Sequence, residues 1–231
     1  MILYQPNSGY CYNTDSLFLY DFISSFKPKG RVLDVGAGCG IVGLLVARDN
    51  KKVQLESVEK QDIFANFATI NARVNKIDYK LHKTDFLDLN VDEKYDYIIS
   101  NPPFYHSAST KSEDEVLFNA RYNVNLPLKD FFKKVSQVLK PKSHFLFCYD
   151  ATQFGLICAE LDKVNMRVVD VQFVHPKIDR IASLVLVHAR NGSNSMMKVW
   201  QPFISFDGLE FSQQAKDIYE KAKTQSIKCQ L

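Results

Sequence analysis

The sequence lacks the features that mark exported, membrane-spanning or disulfide-bonded proteins. Only five of its 231 residues are cysteine, an odd number, and no two of them form a C-x-x-C pair, which argues against a disulfide framework and a zinc site. No stretch approaches the roughly 18 apolar residues that a membrane span needs. The opening residues, MILYQPNSGYCYN, lack the basic start and apolar core of a signal peptide. We therefore expect reduced thiols, no membrane association and a cytoplasmic protein.

Charge is nearly balanced and sets weak limits on partners. The net charge of +3 and the isoelectric point near 8.5 permit a polyanionic partner but fall short of a strongly basic nucleic-acid binder. The five histidines show no metal-ligand spacing, so we expect no catalytic metal. With 46% hydrophobic and 24% charged residues, the chain has the composition of an ordinary globular protein.

Short apolar runs alternate with longer segments of helical spacing, which predicts an α/β fold. The predicted strands are Arg31–Val35, Val53–Val58, Tyr79–Lys83, Tyr95–Ser100, His144–Tyr149, Arg167–Val174 and Ser183–Ala189. The predicted helices are Gly40–Asp49, Asp62–Val74, Leu128–Leu139 and Thr152–Val164. Only HPKIDRIA separates the last two strands, too few residues for a helical crossover. We expect a mostly parallel seven-stranded sheet with an antiparallel last strand and helices on both faces.

The chain is expected to form one domain in three parts. Residues 1–30 are a leader, residues 31–190 the core, and residues 191–231 a C-terminal extension. Within the core, residues 104–126 are long for a connection between a strand and a helix and are a candidate functional loop. Residues 191–211 are expected to wrap over the body before a final helix near Ser212–Lys223.

A glycine-rich turn follows the first predicted strand. Gly36, Gly38 and Gly40 would let backbone amides approach a ligand, and Glu59, about 20 residues on, could accept hydrogen bonds from both hydroxyls of a ribose. The position predicts a nucleoside-cofactor site. The glycines also fit G-x-G-x-x-G, so a nicotinamide-dependent oxidoreductase stays open as an alternative.

The segment Ser100-Asn101-Pro102-Pro103-Phe104 follows the fourth predicted strand. Two prolines fix the backbone and remove two amide donors, which leaves the carbonyls free to accept hydrogen bonds. The Asn101 side-chain oxygen and the Pro102 carbonyl could hold both hydrogens of an aromatic amine, and Phe104 could stack on its ring. We therefore predict that Asn101, Pro102, Pro103 and Phe104 form the catalytic site for a planar amine.

Both motifs resemble those of class I methyltransferases. Asp34 before Val-Gly-x-Gly-x-Gly resembles the first motif of that family, and N-P-P-F resembles the [NDS]-P-P-[YFW] signature of enzymes that methylate amino groups of bases or a glutamine amide. The resemblance implies S-adenosylmethionine as cofactor. It places Asp34 near the amino-acid half of that cofactor and Asp85, in Thr84-Asp85-Phe86, at the adenine amino group.

A closer resemblance, over residues 5 to about 220, is to the tRNA(Val) adenine-N6 methyltransferases. Its motifs are Gln5-Pro6, Tyr10-x-Tyr12-Asn13-Thr14-Asp15-Ser16-Leu17-Phe18-Leu19, Ala120-Arg121, Val174-His175-Pro176-Lys177, Asp179-Arg180-x-Ala182 and SLVLVHAR. The resemblance implies a tRNA substrate and places Asp15 close to the cofactor. We expect Tyr105, Arg121, Lys177 and Arg180 to contact substrate, the last two at phosphates because they lie in a connecting turn.

The sequence departs from the family after Ala120-Arg121, where the family commonly carries His-Glu and this chain has Tyr122-Asn123. Two other acceptors also fit the N-P-P-F motif. They are the guanine amino group in ribosomal RNA and the glutamine amide in protein, whose enzymes often carry an extra N-terminal domain. The expected function is adenine amino methylation in RNA, with these two reactions as alternatives.

Overall fold

The computed structural model describes residues 1–7, 11–102 and 127–230. The α-helices in these ranges are α1 (Thr14–Ser24), α2 (Ile41–Asp49), α3 (Asp62–Val74), α4 (Leu128–Val138), α5 (Phe154–Lys163) and α6 (Gln213–Ala222). The first seven strands are β1 (Ile2–Pro6), β2 (Gly30–Val35), β3 (Val53–Val58), β4 (Lys80–His82), β5 (Tyr95–Ser100), β6 (Leu139–Asp150) and β7 (Met166–His175). The other strands are β8 (Leu184–Asn191), β9 (Lys198–Val199), β10 (Phe203–Ile204), β11 (Phe206–Asp207), β12 (Glu210–Phe211) and β13 (Gln225–Cys229).

The central sheet has the strand order β4-β3-β2-β5-β6-β8-β7, and β10 and β9 pair with the outer edge of β7. All of these strands run parallel except β8, which is antiparallel to both β6 and β7. The predicted α/β class, the mostly parallel sheet and the antiparallel last strand are confirmed. The predicted count of seven was wrong, because two-residue strands extend the described sheet to nine and are too short to produce an alternating pattern.

Helices cover the sheet and bury an aromatic core. The apolar face of α4 contributes Phe131 and Phe132, whose rings lie 5.7 and 5.9 Å from that of Phe145 on β6. Such edge-on ring pairs add stability beyond the burial of their area. Helix α4 packs beside α5, while α1 packs beside α2 and α6.

The leader and the C-terminal extension pair with each other. Strand β1 runs parallel to β13, with Ile2 opposite Gln225, and the Thr14 hydroxyl of α1 lies 3.0 Å from the Tyr219 hydroxyl of α6. Residues 1–30 were expected only as a leader, and helix α1 was not predicted. Apolar residues occupy nearly every position from Leu17 to Ile23, so the helical stripe that marks a half-exposed helix is missing.

The C-terminal extension, which was expected to wrap over the body, also contributes strands of its own. Strands β9 and β10 join the central sheet at β7, and β11 and β12 form a hairpin. The expected final helix is α6, whose first turn is capped by Ser212 through a hydrogen bond of 3.1 Å from the Ala215 amide. All five cysteines are free thiols, as expected. In the described part of the chain, no helix combines the length and apolarity needed to cross a bilayer.

Candidate active site

A cavity opens at the carboxyl end of the sheet, between β2 and β5. The chain leaves β2 toward β3 on one side and later returns to β5 on the other, so this is the point where the strand order reverses. Open α/β sheets bind ligands at such points because the loops after the two strands diverge and leave a crevice. The cavity encloses about 990 Å³ including its open mouth. Its polar lining includes Ser16, Asp34, Glu59, Lys60, Asp85 and Asn101, and its apolar wall includes Ile41, Val42, Val58, Phe64 and Phe86.

The predicted glycine turn forms one rim of this cavity. Gly36 and Gly38 have φ values of +66° and +55°, in the left-handed region where a side chain causes strain. A Cβ at either position would meet nothing within 4 Å, so the backbone angle, and not a lack of space, requires glycine there. Gly40, also at positive φ, ends the turn as the N-cap of α2. The turn therefore exposes backbone to the cavity, as the sequence predicted.

Glu59 lies just past β3, on the wall facing the glycine turn. Its two carboxylate oxygens accept hydrogen bonds from the Gly38 amide at 3.0 Å and the Gln61 amide at 2.9 Å. Only 6% of the residue is exposed, and burial raises the pKa of its carboxyl although both amide hydrogen bonds oppose the shift. Each oxygen retains a second lone pair, so the carboxylate can still accept hydrogen bonds from a ligand.

Asp34, near the end of β2, lines the same cavity, and its carboxyl group is held by a hydrogen bond from helix α2. Its Oδ2 accepts a hydrogen bond of 2.9 Å from the Gly43 amide in the first turn of α2. The residue is 2% exposed, and burial, reinforced by the charge of Glu59, raises the pKa of its carboxyl to about 7. The side chain thus joins strand β2 to helix α2 beneath the glycine turn.

Asp85 lines the cavity at the end of β4. Its Oδ1 accepts a hydrogen bond of 2.9 Å from the Leu87 amide, which caps the short 3₁₀ turn Phe86–Asp88, and its Oδ2 lies 3.5 Å from Lys60 Nζ. Capping the turn is therefore compatible with the position that the family resemblance implies for Asp85 at the cavity. One oxygen caps the turn, while the side chain borders the cavity.

Asn101 lies directly after β5, on the opposite rim from Glu59. Its amide is held at both ends, because Nδ2 donates to the Ser16 hydroxyl at 3.1 Å and Oδ1 accepts from the Cys148 thiol at 3.0 Å. Ser16 is on α1 and Cys148 on β6, both fully buried. Sequence reasoning missed both partners. The only signal for Ser16 was its place in the leader motif, and nothing in the sequence pointed to Cys148.

The remaining predicted site residues divide between the first cavity, a second cavity and the part of the chain outside the described residues. Asp15 does not line the cavity between β2 and β5, and instead borders a second open cavity with Lys177 and Arg180. Asn13 Nδ2 donates to its carboxylate at 2.8 Å, and burial raises the pKa of that carboxyl. Pro102 lines the first cavity. The predicted residues Pro103, Phe104, Tyr105 and Arg121 lie outside the described residues.

The described residues contain no cluster of three or more His, Cys, Asp or Glu side chains that could hold a metal ion. The polar groups at the cavity include one rigid amide, three carboxyl groups, the Ser16 hydroxyl, the Lys60 ammonium and backbone donors. This set can hold hydroxyl and amino groups of a neutral or cationic ligand, because carboxylates and amide oxygens accept hydrogen bonds.

Comparisons with known proteins match this architecture. Residues 13–123 match the family model described as the methyltransferase small domain. A tRNA1(Val) (adenine(37)-N6)-methyltransferase of Aliivibrio fischeri is 27% identical over 137 residues, which cover 58% of this chain and 58% of that protein. A release factor glutamine methyltransferase of Buchnera aphidicola is 27% identical over 118 residues, which cover 50% of this chain and 42% of that protein. The chain thus spans about half the length of these curated relatives.

Solved structures share the fold at lower sequence identity. A predicted O-methyltransferase from Agrobacterium tumefaciens superposes with a TM-score of 0.70 at 17% identity, covering 92% of this chain and 99% of that one. A 16S rRNA N2 methyltransferase from T. thermophilus, in complex with AdoMet and guanosine, gives 0.58 at 18% identity, covering 80% of this chain and 45% of that one. Residues 13–123, just under half of the chain, are therefore similar to the methyltransferase small domain, and the described residues share the fold of these solved methyltransferase structures.

Proposed function

We propose that the protein is an S-adenosylmethionine-dependent methyltransferase that methylates the exocyclic amino group of adenine in RNA, with tRNA as the substrate. The observation that carries this proposal is the fixed amide of Asn101. Its oxygen is held by Cys148 and its nitrogen by Ser16, at the edge of a cavity that also presents the Glu59 carboxylate. An aligned amide oxygen beside a nucleoside-binding cavity suits an aromatic amine.

The residues of the cavity fit the proposed cofactor. Glu59 can accept hydrogen bonds from the two ribose hydroxyls, and Asp85 can accept one from the adenine amino group. Phe64 and Phe86 offer apolar surface for the adenine ring, and the glycine turn leaves room for the amino-acid half above Asp34. When bound, S-adenosylmethionine supplies an electrophilic methyl group on a sulfonium centre.

The chain's own contribution to the reaction is to orient the acceptor. One lone pair of Asn101 Oδ1 faces the Cys148 thiol, and the second remains for a substrate N–H. A second N–H of the amine can donate to the Pro102 carbonyl, because Pro102 borders the same cavity. With both hydrogens held, the lone pair of the nitrogen points into the cavity. These acceptors become more favourable as positive charge develops on the nitrogen.

The choice of substrate rests on relatives and on charge. The A. fischeri relative is named for adenine N6 methylation in tRNA, the Buchnera relative for glutamine, and a ribosomal RNA small subunit methyltransferase C of Haemophilus influenzae is 28% identical over 101 residues. Lys177 and Arg180 border the second cavity, next to Asp15, where they could contact phosphates. We propose tRNA as the partner and the cytoplasm as the location, with Asp15 retained as a predicted cofactor residue.

The test is transfer of labelled methyl from S-adenosylmethionine to bulk tRNA, ribosomal RNA and total protein in separate reactions. Label in tRNA that digests to N6-methyladenosine would support the proposal. The variant Asn101→Ala should lower turnover by about 10²-fold, because it removes the group that aligns the amine. It should leave the Kd for S-adenosylhomocysteine within about twofold.

The matched control is Asn194→Ala, which removes the same side chain from an exposed loop position and should behave as the wild type. Label that appears only in ribosomal RNA or only in protein would replace the proposed substrate with one of the two alternatives. If Asn101→Ala weakens cofactor binding as much as turnover, Asn101 does not orient the acceptor. Binding of NAD instead of S-adenosylhomocysteine would indicate an oxidoreductase.

A further inference from the structure

Two large apolar side chains project from the turn between β7 and β8. Ile178 is 81% exposed and Ile181 is 83% exposed. The turn that carries them is held by hydrogen bonds, since the Arg180 amide donates to the Lys177 carbonyl at 3.0 Å and His175 Nδ1 donates to the Arg180 carbonyl at 2.8 Å. A fixed backbone keeps both isoleucines turned outward. Such surface is costly in water unless a partner covers it.

This turn borders the second cavity described above. Pro176, Lys177 and residues 180–184 line that cavity together with Asp15 and Asp150. Asp15 is adjacent in the chain to Ser16, and Asp150 follows Cys148 by two residues. Ser16 and Cys148 are the two side chains that hold Asn101. Asp15 and Asp150, which line the second cavity, therefore lie within two residues along the chain of the side chains that hold Asn101.

The turn carries the two cationic side chains that line the second cavity. Within the described residues, the side chains of Lys177 and Arg180 form neither an ion pair nor a hydrogen bond, and Asp179 is the acidic residue between them. The turn itself therefore carries one net positive charge beside two exposed apolar side chains, while Asp15 and Asp150 line the same cavity. Phosphate groups and unstacked bases are complementary to these two features, because cations bind phosphates and apolar side chains pack on base faces.

We propose that residues 176–182 form a wedge that inserts Ile178 and Ile181 against bases of an RNA loop, while Lys177 and Arg180 hold its phosphates and the acceptor base enters toward Asn101. The inference rests on the proposed function, because it assumes an RNA substrate. Apolar side chains of this kind unstack bases when they insert between them. Unstacking costs less free energy for a base in a loop than for a base in a duplex. The wedge would explain how a buried acceptor site reaches an amino group within a folded RNA.

The test uses an unmodified tRNA transcript carrying 2-aminopurine in the anticodon loop, whose fluorescence rises when the base loses its stacking partners. Wild-type protein should raise the fluorescence severalfold on binding. The double variant Ile178→Ser/Ile181→Ser should lose most of that rise and weaken the Kd about 10-fold, the loss expected for one stacking contact. Lys177→Ala and Arg180→Ala should each reduce the slope of log K against log salt by about one and keep the fluorescence rise.

The matched control is Met196→Ser/Met197→Ser, which removes two exposed apolar side chains from the loop between β8 and β9. This variant should retain both the fluorescence rise and the Kd. An unchanged rise in the isoleucine variant, or no rise with wild type, would overturn the wedge. A change in oligomeric state on gel filtration, with the rise unchanged, would assign the face to a second copy of the chain. Methyl transfer to the same transcript is measured separately, so a failure of the proposed function is distinguishable.

Discussion

Glu56 and Glu59 belong to the same strand and the turn after it, and both are nearly buried, at 9% and 6% exposure. Their carboxyl groups nevertheless have opposite environments. Glu56 forms an ion pair with Arg31 at 2.7 Å and accepts hydrogen bonds from His82 at 2.7 Å and Tyr95 at 3.0 Å. Glu59 is bound by backbone amides, and among the described residues no cation lies within ion-pair distance of it.

The difference appears in their pKa values. Burial alone would raise the pKa of Glu56, but hydrogen bonds from Arg31, His82 and Tyr95 outweigh it and lower that pKa to about 2. Burial raises the pKa of Glu59, and raises that of its neighbour Asp34 to about 7. A carboxyl group satisfied by side chains stabilises the sheet, whereas one left without a cation at a cavity is available to a ligand. Perturbed acids in a cleft are typical of functional sites.

The largest expected effect that tests this comparison is on stability. Glu56→Gln should lower the free energy of unfolding by about 2–4 kcal/mol at pH 7, because Arg31 loses the more buried of its two carboxylate partners and keeps only Glu93. Glu59→Gln should cost less than about 2 kcal/mol, because it loses one backbone hydrogen bond and also removes a poorly solvated charge. Urea denaturation of both variants measures the difference through the midpoint at constant slope.

The affinity for S-adenosylhomocysteine should show the opposite ranking, with Glu59→Gln more affected than Glu56→Gln. Glu59→Gln should weaken binding by about 10-fold or more, since a neutral amide replaces the proposed acceptor of two hydroxyls. Glu56→Gln should bind within about threefold of wild type while it remains folded. Equal effects of both substitutions on stability and on binding would contradict the separation into a structural and a ligand-binding carboxylate.

A second prediction concerns the pH dependence that Asp34 contributes to stability. Its folded pKa of about 7 lies above the unfolded value, so the folded state binds the extra proton between the two. The contribution is fully present below the unfolded pKa and is lost as the pH rises through 7. Asp34→Asn removes this titration and keeps an oxygen that can accept from the Gly43 amide.

The measurement is the difference in unfolding free energy between Asp34→Asn and wild type at pH 5 and at pH 8. This difference should move in favour of the variant by about 2.5 kcal/mol over that range. The pH dependence of the wild-type unfolding free energy does not isolate Asp34. Burial lowers the pKa of His144 to about 4, so this histidine also adds stability as the pH rises. The histidine contribution cancels in the difference, so a constant value from pH 5 to pH 8 would show that Asp34 is ionised throughout.

The sequence predicted the parts of the cavity that sit at strand ends. The residues concerned, Gly36, Glu59, Asp85 and Asn101, each follow a separate strand of the parallel sheet. The carboxyl ends of parallel strands meet at one edge, so correct strand assignment was enough to bring them together. Asp34 was placed near the cofactor by the family resemblance, and its hydrogen bond to α2 was not predicted.

Contacts between distant elements could not be predicted in this way. Ser16 and Cys148 reach Asn101 from α1 and β6, and no local pattern records which side chains converge after folding. The position of β8 between β6 and β7 also depends on tertiary packing, since the short turn before it predicts only that it runs antiparallel to β7. Strands are recognised from patterns within one segment of the chain, whereas hydrogen-bond partners and strand order depend on contacts between distant segments.

The smallest expected effects compare two helical glycines, one against Asp34 and one in open space. A Cβ at Gly43 would lie 2.7 Å from Asp34 Oδ2 and 3.0 Å from Leu55 Cδ1, so Gly43→Ala should cost about 1–3 kcal/mol. A Cβ at Gly155 in α5 would meet nothing within 4 Å, and Gly155→Ala should stabilise the protein by about 0.5–1 kcal/mol. Thermal or urea unfolding of both variants measures the contrast. In an Asp34→Ala background, Gly43→Ala should cost at least about 0.5 kcal/mol less, since the closest contact is gone. An unchanged cost would mean that Leu55 and the Cβ of residue 34, which lies 3.1 Å from the added Cβ, keep this position small, and not the carboxyl group.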